Sequence, residues 1–186
     1  TTALMVAISV WGWPDYRRTW RATSNGLEGA ARMHTGTLLG LDEIGEINPK
    51  ELYEAIYALT NGHGKGRATV YGEARKVSRW RVFLLSTGEI TVASRMASGG
   101  YEAKAGQSVR VLDIPVSGQH GVFDTLHGLA SGAALSQALR DAAAQHYGHA
   151  GRAFVAALIK AKRGGLNVAD ALAQLETQFN ARDGQE

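Results

Sequence analysis

The chain opens with apolar residues that repeat every three or four positions: Ala3, Leu4, Ala7, Ile8 and Trp11. This spacing predicts a helix, and Gly12 with Pro14 interrupts it. The pattern starts at the first residue, with no capping turn before it. We therefore interpret the sequence as a fragment whose earlier part is absent.

Several runs of the chain predict β-strands. Residues 37–41 and 82–85 are apolar without alternation, the pattern of strands buried on both faces of a parallel sheet. A short extended stretch covers residues 19–22, and a third strand is predicted over residues 109–114. Helical patterns separate these runs, which favours a parallel sheet with crossover helices.

Capping patterns mark the helix starts. Asn25 with Glu28 three residues later predicts a capped helix that runs to about His34. Asn48 followed by Pro49 predicts a second capped start. A short helix is expected over residues 90–97.

The end of the chain is rich in alanine and contains helical patterns only. The predicted spans are residues 131–147, 150–163 and 167–181. Strands alternating with helices, followed by helices alone, predict an α/β fold with a helical lid. We place the core at residues 1–127 and the lid subdomain at residues 128–186.

Composition restricts the class of protein. Hydrophobic residues make up 45% of the 186, enough for one real core. Cysteine is absent, which excludes disulfides and thiolate zinc sites. No apolar run approaches the ~20 residues of a membrane span, and no signal segment opens the chain. We expect a cytoplasmic protein without a membrane partner.

Positive charge is concentrated in residues 63–81. The whole chain carries a formal +3, whereas this segment carries six Lys or Arg residues against Glu73 alone. Extended runs on both sides of Gly72-Glu73 predict a β-hairpin. Such a local excess is typical of a surface that meets a polyanion. The alternative is a solvated hairpin that serves solubility. The candidate DNA contacts are Lys65, Arg67, Arg75 and Lys76.

Two acidic residues follow the first buried strand at its carboxyl end, the edge where open α/β sheets place ligands. In a P-loop ATPase, the first carboxylate at this edge helps to hold Mg²⁺, and the next one activates the attacking water. Asp42 and Glu43 are the candidates for these roles. Many strands end in acidic residues at turns, so a purely structural role is the alternative.

Two further residues suit the same chemistry. Thr87 follows the second buried strand, where such ATPases place a nucleotide-sensing side chain. Arg110 lies in the third predicted strand, where an arginine of this class stabilises the transferring phosphate in a neighbouring subunit. The alternatives are ordinary strand-end hydrogen bonding for Thr87 and a surface ion pair for Arg110.

The glycine-rich segment 62–66 is not a phosphate-binding loop. Lys65 is followed by Gly66, whereas a phosphate loop requires Ser or Thr there. The segment also leads from a helix into a hairpin, whereas a phosphate loop leads from a strand into a helix.

Seven stretches resemble the domain-of-unknown-function 927 family: residues 1–4, 24–29, 38–45, 59–66, 84–89, 106–115 and 146–154. Together these stretches span most of the chain. Members of that family occur with primase and helicase modules of phages, plasmids and genomic islands. A basic hairpin before the sensing strand is also similar to superfamily 3 viral helicases, where the hairpin touches DNA in the central channel.

The resemblance implies a three-layer P-loop NTPase fold of AAA+ type whose first strand and Gly-Lys loop precede Thr1. Thr1 would ligate Mg²⁺, and Thr2 would begin the helix beside bound ATP. The implied function is ATP-driven movement on single-stranded DNA by a homo-oligomeric ring, with a primase domain or protein as partner. Because the 186 residues lack the Gly-Lys loop, we expect no ATP hydrolysis from them alone. The alternatives are a DNA-binding module without turnover and a protein-remodelling AAA+ ATPase.

Overall fold

The computed structural model describes residues 2–66, 73, 76–102, 106 and 110–183. The chain divides into two units, Thr1–Tyr147 and Gly148–Glu186. The described part contains a three-stranded parallel sheet and seven α-helices, so the mixed α/β class is confirmed. None of the described helices is long and apolar enough to cross a membrane.

The sheet consists of three parallel strands, β1 (Arg18–Thr19), β2 (Leu38–Asp42) and β3 (Phe83–Ser86). Strand β2 lies in the centre, with β1 on one side and β3 on the other. All five residues of β2 are buried, as its uninterrupted apolar sequence predicts. The two apolar runs identified in the sequence are therefore confirmed as neighbouring parallel strands.

Helix α1 (Thr2–Ser9) packs on β2 through a close approach at Gly40. A Cβ placed on Gly40 would lie 2.7 Å from Cγ2 of Ile8 and 3.1 Å from Cδ1 of Leu4. Leu4 and Ile8 are buried together with Leu38 in a small cluster. The predicted opening helix is confirmed, and the absence of a side chain at Gly40 allows it to approach the sheet.

Two helices, α2 (Ser24–Met33) and α3 (Pro49–Asn61), cover the main core. The predicted cap Asn25 is wrong: it lies inside the helix, and the hydroxyl of Thr23 accepts from the Gly26 N–H at 3.2 Å. Thr23 has the extended backbone that a capping residue requires. The predicted cap Asn48 is confirmed, because its side chain accepts from the Lys50 N–H at 2.9 Å.

The short helix predicted before the third extended run is confirmed as α4 (Val92–Ala97). The strand predicted over residues 109–114 is wrong, since residues 110–114 form no strand and residue 109 lies outside the described residues. Leu112 and Ile114 are 78% and 79% exposed. An apolar run becomes a strand only beside another strand that pairs with its backbone, and the described part of the chain offers this run none.

The predicted tail helices are confirmed as α5 (Gly132–Gln145), α6 (His149–Arg163) and α7 (Val168–Asp183). Helix α5 belongs to the first unit, where it packs against α1. Helices α6 and α7 form the second unit. The lid boundary at residue 128 stays a prediction.

The close approach at Gly40 generates a stability prediction. Gly40→Ala should lower the free energy of unfolding by about 1–3 kcal/mol, because the new methyl group overpacks against Ile8. Gly29→Ala is the matched control: it lies in α2 with no atom near its would-be Cβ, and alanine favours the helix by about 0.5–1 kcal/mol. Urea denaturation of the 186-residue chain measures both, and equal stability of Gly40→Ala and the wild type would contradict the packing argument.

Candidate functional site at the carboxyl edge of the sheet

The site centres on Asp42, the last residue of β2, which is only 3% exposed. A buried carboxylate requires hydrogen-bond partners to offset its desolvation. Oδ1 accepts a short hydrogen bond from the Thr87 hydroxyl. Oδ2 accepts from a guanidinium nitrogen of Arg17 at 3.1 Å. Both oxygens of Asp42 are therefore engaged by the protein.

Parallel pairing brings the ends of β2 and β3 together. Leu41 is in register with Ser86, so the residues that follow both strands are neighbours. The Thr87 N–H donates to the Leu41 carbonyl at 3.1 Å, and the Ile44 N–H donates to the Thr87 carbonyl at 3.3 Å. The structure thus places the predicted residues Asp42 and Thr87 in direct contact.

Ser86 has a different partner from Thr87. Its hydroxyl accepts from Nε1 of Trp20 at 2.8 Å, and Trp20 is fully buried just after β1. The backbone N–H of Trp20 donates to the Asp42 carbonyl at 3.0 Å. These bonds tie the ends of all three strands into one network.

Glu43 is exposed and adopts a left-handed backbone conformation, with φ 60° and ψ 64°. A residue other than glycine pays about 1–2 kcal/mol for this conformation, and such strain is concentrated at functional positions. The Glu43 carboxylate makes no hydrogen bond or ion pair with any residue that the structure describes. A solvent-accessible carboxylate therefore lies directly beside the buried one.

Sequence reasoning missed Arg17, which lies 25 residues before Asp42. Its side chain is 40% exposed, so one end meets Asp42 while part of it faces solvent. Arg17 and Arg18 adjoin in the sequence, and no local pattern distinguishes them. Only the pairing of β1 with β2 identifies Arg17 as the residue at the site.

The other predicted nucleotide-site residues lie elsewhere or outside the described residues. Arg110 is exposed, is not in a strand, and donates to the Gly106 carbonyl at 2.7 Å. Thr2 begins α1, where its hydroxyl accepts from Arg140 at 3.3 Å. Thr1 lies outside the described residues. The described contacts therefore do not bring Arg110 or Thr2 to Asp42.

The basic segment, residues 63–81, is described at its two ends. These two ends, which form its base, pair with each other. His63 and Arg79 form an antiparallel bridge, and the Gly64 N–H donates to the Ser78 carbonyl at 2.9 Å. Trp80 is buried, and its indole N–H donates to the Leu59 carbonyl at 3.3 Å. The base is thus anchored on the end of α3. Of the candidate DNA contacts, Lys76 is exposed, and Arg67 and Arg75 lie outside the described residues.

Lys65 is bound to the domain itself. Its ammonium forms an ion pair with Glu54 at 2.5 Å, and its backbone N–H donates to the carboxylate of the buried Glu28 at an N···O distance of 3.5 Å. The hydrogen bond and charge of Lys65 lower the pKa of Glu54. Lys65 therefore anchors the basic segment to α3, and part of its charge is already neutralised.

The donor set is compatible with one mode of Mg²⁺ binding. Among the described residues, no cluster of three or more His, Asp or Glu side chains forms a ready-made metal site. Mg²⁺ is commonly held by one or two carboxylates, with water and phosphate oxygens completing its shell. Asp42 and Glu43 are a donor set of that kind.

Part of the chain matches one known protein family. Residues 1–79 match the family described as domain of unknown function (DUF927). The matched region includes Arg17, Asp42 and Glu43, and it ends within the basic segment. The match supports the resemblance noted from the sequence. No curated protein and no solved structure matches the chain.

The strain at Glu43 generates a second prediction. Glu43→Gly should leave the chain as stable as the wild type or up to about 1 kcal/mol more stable, because relief of strain exceeds the entropy cost of glycine. Glu46→Gly is the matched control, since Glu46 has no positive φ and should lose about 0.5–1 kcal/mol. Thermal unfolding measures both variants, and equal destabilisation would show that the Glu43 backbone carries no strain.

Proposed function

We propose that this chain is the ATP-hydrolysing part of a P-loop motor that moves on DNA. The observation that carries the proposal is the pair of carboxylates at the end of β2. Asp42 is buried and held by Thr87, which directly follows the neighbouring strand, while Glu43 is exposed beside it. Motors of this class use a fixed carboxylate near Mg²⁺ and a second one near the attacking water.

The two carboxylates suit these two roles for physical reasons. Each oxygen of Asp42 accepts one described hydrogen bond, so lone pairs remain for a metal-bound water or for the metal. Glu43 is accessible to solvent, and its carboxylate has no described partner, so its oxygens are available to accept a hydrogen bond from water. Bound Mg²⁺ would supply charge stabilisation for the transferring phosphate.

The surrounding fold is compatible with a phosphate loop before α1. Helix α1 lies against the central strand, and a helix amino terminus favours phosphate binding. The outer edge of β3 is unpaired within the described part of the chain. The proposal requires a further parallel strand before the loop, which would pair with this edge.

The proposed polyanion is single-stranded DNA. The described base of the basic segment is fixed to α3 by the buried Trp80 and by the pair of Lys65 with Glu54. A ring of such subunits, acting with a primase, would place the segments around one strand. ATP and Mg²⁺ are the proposed cofactors, and the cytoplasm is the proposed location.

One observation favours a second candidate, a DNA-binding module without turnover. Arg17 and Thr87 together engage both oxygens of Asp42, as expected for a carboxylate that only joins strand ends. ATPase activity separates the two candidates, because both bind DNA and only the first hydrolyses ATP.

The third prediction tests whether Glu43 of one subunit and Arg110 of a neighbouring subunit act on the same ATP. In a chain extended upstream to include a Gly-Lys loop, Glu43→Gln should retain ATP binding and lose most hydrolysis. Arg110→Ala should behave similarly, because an arginine that reaches phosphate from a neighbouring subunit contributes ~10³–10⁵ in rate. Mixing the two variants should restore part of the activity, since some interfaces then contain both intact groups.

The measurement is the ATPase rate against mixing ratio, with the 186-residue chain as the inactive control. Full activity of Arg110→Ala alone would make that arginine structural, in agreement with its bond to Gly106. An extended wild-type chain that binds DNA and never hydrolyses ATP would favour the second candidate.

The fourth prediction concerns the basic segment. Replacing Arg67, Arg75 and Lys76 by alanine should weaken single-stranded DNA binding for every sequence. It should also reduce the slope of log K against log salt by about 0.7 per lost phosphate contact. The matched control replaces Lys160, Lys162 and Arg163 in α6, which removes the same charge elsewhere. An unchanged slope in the first variant, or equal loss in both, would assign the segment to solubility.

A further inference from the structure

The contact between Arg17 and Asp42 has a consequence for cation binding. The guanidinium lies 3.1 Å from Oδ2 of Asp42, whose side chain is 5% exposed. The Thr87 hydroxyl donates to the other oxygen. A divalent cation that reaches this carboxylate therefore arrives beside a positive charge in a poorly solvated place, where repulsion is screened least.

We propose that Arg17 is a positioning residue that competes with the divalent cation for Asp42. The inference rests on the proposed function, which gives Asp42 its role toward Mg²⁺. In the absence of the cation, Arg17 neutralises the buried carboxylate and holds its orientation together with Thr87. When the cation binds, the guanidinium moves outward into solvent, which the Arg17 side chain, 40% exposed, already contacts.

Arg17 suits this role because its side chain is neither fully buried nor fully exposed. An arginine buried along its whole length could not leave without a large desolvation change, and a fully exposed one would contribute ~0–1 kcal/mol. Arg17 combines a buried partner with a partly solvated side chain. When Arg17 is released, the Asp42 carboxylate loses a charge-assisted hydrogen bond and gains a contact with the cation.

The experiment uses the 186-residue chain and Mn²⁺ as a paramagnetic probe, with Mg²⁺ added to displace it. Binding is followed by broadening of the amide NMR signals of Asp42 and Thr87. Arg17→Gln keeps a hydrogen-bond donor and removes the charge, so Mn²⁺ should bind about tenfold more tightly, the scale of one charge-assisted hydrogen bond. Arg17→Lys should behave like the wild type.

Arg18→Gln is the matched control, because it removes the same charge one residue away on the exposed strand β1. Its Mn²⁺ affinity should equal that of the wild type within about twofold, since a charge that faces water acts through a high effective dielectric. A merely structural Arg17 would give weaker binding on substitution, whereas competition gives tighter binding.

Three results would overturn the inference: unchanged or weaker Mn²⁺ binding in Arg17→Gln, an equal gain in Arg18→Gln, or no broadening at Asp42 in any variant. None of these readouts depends on turnover. Failure of the proposed function would appear separately, as absence of ATP hydrolysis by the upstream-extended chain.

Discussion

The arrangement at the carboxyl edge of the sheet depends on one physical constraint, the burial of the Asp42 carboxylate. A charge in that position must be matched by donors, and both donors come from segments next to the neighbouring strands, Arg17 before β1 and Thr87 after β3. The same carboxylate therefore fixes strand ends that are far apart in sequence. The exposed Glu43 follows it directly, in a strained left-handed backbone conformation.

Two glycines allow segments to pack closely around β2 and the residues that follow it. Gly40 admits α1 onto the buried central strand, and Gly88 lies where a Cβ would meet Ile44 at 2.5 Å. Gly88 therefore lets the turn after Asp42 rest on the loop after β3. The geometry of the site depends as much on these two missing side chains as on the carboxylates.

The second unit is stabilised differently from the first. Among its described residues no large apolar side chain is buried, and Phe154, Leu172 and Phe179 are each at least 60% exposed. The helicity of α6 and α7 in the isolated unit therefore comes mainly from alanine-rich sequence and local hydrogen bonds. Helices of this length are only marginally stable on local interactions.

The sequence by itself determined the elements whose signal is local. The apolar runs of β2 and β3, the Asn48-Pro49 helix start and the three tail helices all follow from hydrophobic spacing and capping chemistry. The adjacency of Asp42 and Thr87 was also predictable, because the carboxyl ends of neighbouring parallel strands meet at one edge. The cap of α2 was assigned two residues too late, since Thr23 and Asn25 are both capping types and only the backbone separates them.

Tertiary structure decided whatever depended on a distant partner. Arg17 and Arg18 are chemically identical in the sequence, and the strand pairing selects Arg17 for Asp42. Lys65 appeared as one of several exposed cations, yet Glu54 on α3 makes it an anchor. Residues 110–114 carry a strand-like pattern, yet no strand in the described part of the chain pairs with them. Hydrophobic period and capping act within a few residues, whereas ion pairs and sheet hydrogen bonds join segments whose proximity exists only after folding.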